Sequence, residues 1–282
     1  MPGTLFVVAT PIGNLEDITS RALRVLREAA LIAAEDTRRT AHLLARYAIG
    51  TPTTSLHEHN EVSKSAALVS RLVRGESIAL VSDAGTPTVS DPGARLIRAA
   101  IDAGVRVVSV PGPSAALTAL AASGFPSDTF LFLGFPPVRS KARNEWLDAV
   151  ESAGRTVVFF EAPHRVRRTL SDIMARLGDV TIVVARELTK IHEELVRGPI
   201  STALAHFSAP IGEFTVTIDI GHKIELAVDE SPEDQCLLAE FCHLTENTGL
   251  KRQNAIARLA SRHRLPRNQV YRAIEKAKKS VV

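Results

Sequence analysis

Cysteine is nearly absent. The only two, Cys236 and Cys242, share no metal or redox spacing, which fits free thiols in a cytoplasmic protein. No hydrophobic run is long enough to cross a bilayer. Leu5 to Ala9 is too short, and the Met1-Pro2-Gly3-Thr4 start lacks a positive region, so neither a membrane helix nor a signal peptide is expected. His57-x-His59 has no further ligand at a suitable spacing, so no metal is expected. No G-x-G-x-x-G follows the first predicted strand, and no G-x-x-x-x-G-K-[ST] occurs. The chain therefore lacks the usual devices for a pyrophosphate or triphosphate. There is no repeat of fixed period and no low-complexity run.

What is present is an apolar-rich chain of 282 residues, enough for about two domains at roughly 150 residues each. Ser77 to Val81 reads as a buried parallel strand, and Ala94 to Ile101 as an amphipathic helix. The loop between them, Ser82 to Gly93, carries two glycines, two prolines, Asp83 and Asp91. At the carboxyl end of a strand such a loop is placed to meet a ligand. The plainer alternative is a turn in which Asp91 caps the helix and Pro92 begins it. Thr4–Ala9, Leu31–Ala34, Thr53–Leu56 and Arg106–Val110 complete a strand–helix alternation that predicts a parallel sheet. Pro11 to Asn14 and Pro111 to Ala115 end two of those strands. If the strands share one sheet, these loops and Asp83 to Gly93 line a single nucleoside-sized pocket.

Gly124-Phe125-Pro126 marks a boundary. Beyond it, residues 130–133, 156–160, 180–184 and 214–218 read as strands, with helices around 143–152 and 165–177, predicting a mixed five-stranded sheet. His222 to Pro232 reads as a linker. The tail predicts three helices, the last two over Gln253–Arg262 and Pro266–Lys278. Ile256 and Leu259 form one apolar face, and Val270, Ile274 and Ala277 the other. The turn His263-Arg264-Leu265 between them gives a helix-turn-helix-like module. From Lys251 onward there are ten Lys or Arg against Glu275 alone, while the preceding 250 residues are net acidic. The pattern expected is an acidic catalytic body with a basic tail that meets a polyanion.

A nucleoside ligand without phosphates fits the pocket, and S-adenosylmethionine is the commonest such cosubstrate. Several motifs in order make the chain resemble the rRNA ribose methyltransferase branch of the tetrapyrrole methylase superfamily. They are Ala9 to Leu15, Ala34 to Arg38, His57 to Asn60, Ser82 to Gly93, Pro111 to Ala115, Glu161 to Arg165 and Ala185 to Lys190. The resemblance covers about residues 3 to 221, and the tail resembles a small C-terminal domain of many members. It implies an α/β, two-domain tetrapyrrole-methylase-like fold (class III S-adenosylmethionine methyltransferase) with a small C-terminal helical domain. The divisions are 1–122, 123–222 and 233–282. It also implies a cofactor in the cleft between the first two domains, a homodimer, and 2′-O-methylation of cytidine 1402 in 16S rRNA. Recognition of one nucleotide in structured rRNA by its shape points to the assembled 30S subunit as substrate, with free rRNA the alternative. By position, Pro11, Asp83, Gly85, Thr86, Pro87, Ser114 and Ala115 are the implied cofactor contacts. The glycine-rich first loop of tetrapyrrole methylases is reduced here to Gly13, with Asn14 at the acidic place, which favours an RNA over a porphyrin substrate.

Positioning supplies much of a methyl transfer, and a proton acceptor helps a hydroxyl attack. The candidates are Glu35, Asp36, His57, Glu58, His59, Glu161, His164, Glu187, Lys190 and Glu193. Glu161 and His57 stand out because each ends a predicted strand. The alternatives are a salt bridge from Glu161 to Arg165, and loop-fixing hydrogen bonds for His57 and His59. Arg38, Arg39, Arg165, Arg167 and Arg168 are candidate phosphate contacts in the body, and Lys251, Arg252, Arg258, Arg267 and Arg272 in the tail. Tyr271 could stack on a base or belong to the tail's core. Two other functions remain open: a tetrapyrrole C-methyltransferase, and a non-enzymatic nucleic-acid-binding regulator that reads duplex with the tail.

Overall fold

β-Branched and aliphatic runs of four or five residues build a parallel sheet in the computed structural model, which describes residues 1–220, 232–247, 250–263, 265 and 267–279. Its strands are β1 (Thr4–Val8), β2 (Leu31–Ala34), β3 (Thr53–Ser55), β4 (Ile78–Val81) and β5 (Arg106–Val110), in the order β3-β2-β4-β1-β5. The chain moves one way from β1 to β3 and the other way from β3 to β5. With right-handed crossovers, the two directions put helices on opposite faces. Accordingly α1 (Ser20–Glu28) and α2 (Thr37–Arg46) pack with Ile32, Ala34, Ala79 and Val81. Leu31, Ala33, Ile78 and Leu80 point the other way, into the layer of α3 (Glu61–Val73) and α4 (Ala94–Asp102). Both faces of β2 and β4 are buried, which is why these strands are apolar throughout.

The second sheet is mixed. It contains β6 (Phe130–Phe132), β7 (Thr156–Glu161), β8 (Thr181–Arg186), β9 (Glu194–Pro199) and β10 (Phe214–Ile218), in the order β6-β7-β10-β8-β9. Only β6 and β7 pair in parallel. On one face Val157, Phe159, Ile182 and Val184 meet α6 (Ser140–Glu151), α7 (Pro163–Leu177) and α8 (Ile200–His206). The opposite face, through Val158 and Ala185, meets α5 (Ala115–Ser123), which follows β5 of the first sheet. Ala116 and Ala119 are buried there. Small side chains let this helix lie close to the sheet, and Gly124 ends it at φ 77°.

Residues Met1–Gly221 form one compact unit and His222–Val282 another. The predicted linker, 222–232, lies outside the described residues except for Pro232, which begins α9 (Pro232–Cys242). With α10 (Arg252–His263) and α11 (Arg267–Lys279), α9 closes a small core of Phe241, Ala255, Leu259, Val270 and Ile274. Ile256 is partly buried beside it. Arg264, Pro266 and the side chain of Ala277 are outside the described residues. Cys242 is unpaired. No helix among the described residues is long and apolar enough to cross a membrane.

Candidate active site

Three strand-end loops are stitched together at the carboxyl edge of the parallel sheet. Thr10 and Gly85 exchange backbone hydrogen bonds of 2.9 and 3.0 Å, joining the loops after β1 and β4. Thr86 Oγ1 donates to the Pro113 carbonyl at 3.3 Å, joining the loops after β4 and β5. Gly85 sits at φ +74°, a conformation that favours glycine. Thr88 and Ser90 are also left-handed, at φ 73° and 68°, in a region where non-glycine residues cost free energy.

The far end of the β4 loop is held by an unforeseen residue. Glu61, buried at the start of α3, accepts from the amides of Gly93, Arg95 and Leu96 at 3.1, 2.8 and 3.4 Å. A tertiary carboxylate thus caps α4, and Gly93 is the N-cap, so the alternative reading of Asp91 as a local cap is not realised. The signal was available: Glu61, Ser65, Leu68 and Leu72 fall on one helical stripe, and all are buried.

The stitched loops form one wall of a cavity of about 440 Å³, within the range of small-molecule sites. Glu35, Arg39, Asp83, Gly85, Thr86, Asp91, Ser114 and Ala115 line that side. The second sheet contributes Phe135, Phe160, Glu161, Glu213 and Thr215. Of the expected cofactor contacts, Asp83, Gly85, Thr86, Ser114 and Ala115 lie on the cavity. Pro87 is buried and does not line it. Pro11 lines a neighbouring hollow of about 90 Å³, which shares Arg39 and Asp83 with the main one. His57 does not line the cavity. Its backbone N–H donates to Asn60 Oδ1 at 2.9 Å, and its Nε2 lies 3.0 Å from Asn60 Nδ2, the loop-fixing arrangement.

Carboxylates dominate the electrostatics. The Asp83 amide donates to Glu35 at 3.2 Å, and the Asp36 amide to Asp83 at 3.0 Å. Arg39 Nε lies 3.5 Å from Asp83. Burial raises the Glu35 carboxyl above its ordinary value, helped by the Asp83 charge and opposed by the Asp83 amide and Arg39. Burial, then the charges of Glu35 and Asp83, lift Asp91 to about 6. Arg38 points to solvent and pairs with Asp36 at 2.7 Å, holding that carboxyl well below the usual range.

Glu161 ends β7 with its side chain fully buried. It forms an ion pair with Arg165 Nε at 3.2 Å and accepts from the Ala162 amide at 2.8 Å and from the Thr169 hydroxyl. Arg165 also donates to the Pro136 carbonyl. Behind Thr169 lies Arg143, which is buried, donates to the Thr169 hydroxyl at 2.9 Å and pairs with Asp172 at 2.8 Å. Arg143 shares a stripe with Trp146, Leu147 and Val150, so a charged residue on an apolar face was again the readable signal.

The Ala185 to Lys190 motif holds two loops. Against the cost of burial, hydrogen bonds from Lys190 and from the Glu213 amide keep Glu187 below the ordinary carboxylate range. Lys190 also pairs with Glu213 at 3.0 Å. The Asn14 amide donates to Thr189 Oγ1 at 2.9 Å. A Cβ on Gly13 would lie 2.5 Å from Lys190 Cγ, so Gly13 is needed for a close approach of two protein segments. Asn14 caps the short turn after it. In the tail, Lys251, Arg252, Arg258, Arg267 and Arg272 are exposed. Arg252 pairs with Glu275 and lies 5.6 Å over the Tyr271 ring, which is 45% exposed rather than a core residue. No cluster of His, Cys, Asp or Glu that could hold a metal occurs among the described residues.

Residues 4–204 match the family of tetrapyrrole (corrin/porphyrin) methylases. Ribosomal RNA small subunit methyltransferase I of Escherichia coli O157:H7 is 44% identical over 275 residues, covering 96% of this chain and 94% of that one. The protein of the same name from Thermotoga maritima is 48% identical over 218 residues, which is 98% of its length but 77% of this chain. Among solved structures, a diphthine synthase superposes with TM-score 0.61 at 17% identity, covering 77% of this chain and 89% of that one. The two-sheet fold is that of a methyltransferase. In particular, the chain belongs to the tetrapyrrole (corrin/porphyrin) methylase family, in the branch of the ribosomal RNA small subunit methyltransferase I proteins.

Proposed function

We propose that this enzyme methylates the ribose 2′-hydroxyl of cytidine 1402 in 16S rRNA, using S-adenosylmethionine. The observation that carries the cofactor is the charge of the cavity. Among the described residues, Glu35, Asp83, Asp91, Glu161 and Glu213 line it against Arg39 as the one cation. Such a wall repels phosphates and suits a ligand with a sulfonium and an ammonium group. S-adenosylmethionine, when bound, supplies an electrophilic methyl group. Asp83, Gly85, Thr86, Ser114 and Ala115 hold it, while Pro11 and Pro87 stiffen the loops. Glu161, saturated by Arg165, Thr169 and an amide, fixes the cavity wall and is a positioning residue. The stitched loops keep the site shaped before the substrate arrives, so little ordering remains at the reacting centre. His57 anchors its loop through Asn60.

The branch relatives, named for small-subunit rRNA, support RNA over porphyrin as substrate. Arg38, Arg165 and the tail residues Lys251, Arg252, Arg258, Arg267 and Arg272 are proposed to meet RNA phosphates. Two lobes, 1–122 and 123–222, frame the site, and 233–282 is the RNA-holding domain. A cytoplasmic homodimer acting on the 30S subunit completes the proposal. Its test is methyl transfer from labelled S-adenosylmethionine to 30S subunits lacking the modification, beside an Asp83→Ala variant. Label mapped to the 2′-oxygen of that cytidine, and lost in the variant, is expected. Label on a base atom would retain the cofactor and remove the ribose as target.

A further inference from the structure

Resting on the ribose-methylation reading, we propose that Asp91 is the general base that takes the 2′-hydroxyl proton. Five carboxylates line the cavity, and their partners separate them. Glu161 has both oxygens occupied, by Thr169 on one side and by Arg165 and the Ala162 amide on the other. Glu213 is paired with Lys190. Asp83 accepts from the Asp36 amide and faces Arg39. Glu35 accepts from the Asp83 amide. Asp91 forms no ion pair and accepts from no backbone amide among the described residues, with the Ser82 hydroxyl beside it, so it keeps lone pairs for a substrate.

The loop aims Asp91 rather than letting it swing. Thr88 and Ser90 precede it in left-handed conformations, and two residues later Glu61 clamps the Gly93 amide. Burial and the neighbouring charges raise its proton affinity towards neutrality, which suits a base. Glu35, Arg39 and Asp83 face it from β2, α2 and the start of its own loop, and Glu161 and Glu213 lie on the opposite wall. In the reaction the 2′-oxygen bonds to the methyl carbon as the carbon–sulfur bond breaks. The bonding pair stays on sulfur, which becomes a neutral thioether, and the proton passes to Asp91 and then to water.

The test compares full-length wild type, Asp91→Asn and Glu35→Gln in single-turnover transfer to 30S subunits across pH, with cofactor affinity measured separately. At saturating cofactor, Asp91→Asn is expected to lower the single-turnover rate by about a hundredfold or more, a loss much larger than any change in cofactor affinity. Wild-type rate should fall as pH drops through about 6. Glu35→Gln removes a like charge, so that limb should move to lower pH, and in Asp91→Asn it should vanish. The Asn variant is expected to fold. Native Asp91 binds its proton more tightly than the unfolded chain does, so stability falls as pH rises from the ordinary carboxylate range to about 6. Asp91→Asn removes that fall. An unchanged rate in Asp91→Asn, or a loss confined to cofactor affinity, overturns the assignment. Wild-type label on a base atom instead removes the ribose reading and the base with it.

Discussion

The two units of this chain are built on opposite electrostatic plans. In the first, carboxylates point into a cavity walled by two sheets, and most cations nearby are consumed in pairs with them. In the second, three helices enclose a handful of apolar side chains and leave Lys251, Arg258, Arg267 and Arg272 exposed, with no ion pair among the described residues. An acid-lined cavity suits a cationic cofactor and repels a phosphate backbone, so the same surface cannot both hold the cofactor and grip RNA strongly. On the proposed function, a separate basic unit would resolve that conflict. The family match, residues 4–204, lies wholly within the first unit. The Thermotoga maritima relative leaves about a quarter of this chain without a counterpart. On the proposed function, the basic unit would add RNA affinity to a reaction carried by the first unit.

The largest effect that tests this division comes from removing residues 222–282. Cofactor affinity should be unchanged. RNA binding should weaken, and its salt dependence should flatten by about 4 in log K against log salt if five tail cations each meet a phosphate. Calorimetry with S-adenosylmethionine and filter binding to 30S subunits over a salt series measure the two separately. Loss of cofactor affinity on truncation would break the division.

A smaller effect, on the other side of the comparison, is expected from Gly85→Ala. A Cβ there would meet Ile12 Cγ2 at 3.5 Å, an ordinary contact, so the cost is conformational rather than steric. At φ +74° that cost is about 1–2 kcal/mol. If the loop relaxes away from Thr10 to avoid it, cofactor affinity should fall about tenfold. The RNA salt dependence should stay as in wild type. A change in that dependence would mean that the β4 loop also grips RNA.

How far the sequence could be read follows from the same contrast. The parallel sheet was legible because β2 and β4 are apolar throughout and alternate with amphipathic helical patterns. The loop cluster was legible because glycine and proline mark strand ends. The second sheet was only partly so. Glu194–Pro199 carries two charges, a glycine and a proline, yet it forms edge strand β9, held by antiparallel pairing to β8. Nothing local predicts that β10 inserts between β7 and β8, and that insertion brings Gly212 and Glu213 beside Glu161 on the cavity. Glu61 and Arg143 carried a readable local signal but no visible partner. Each is a charged group on an apolar stripe, and a partner far along the chain satisfies it.

The finest test lies within the basic unit, where two arginines differ in what they already touch. Arg252 pairs with Glu275 and stacks over Tyr271, whereas Arg258 makes no ion pair among the described residues. If Arg258 meets a phosphate, Arg258→Ala should lower the salt slope of RNA binding by about 0.7–0.9, the release of one contact's counterions. Arg252→Ala should change the slope less, because its charge is already balanced within the unit, and should instead lower the unit's thermal stability. The two slopes, measured in parallel on 30S subunits, decide whether the tail binds through individually free cations or through its net charge. Equal slopes would favour net charge and would place Arg252 among the RNA contacts despite its ion pair.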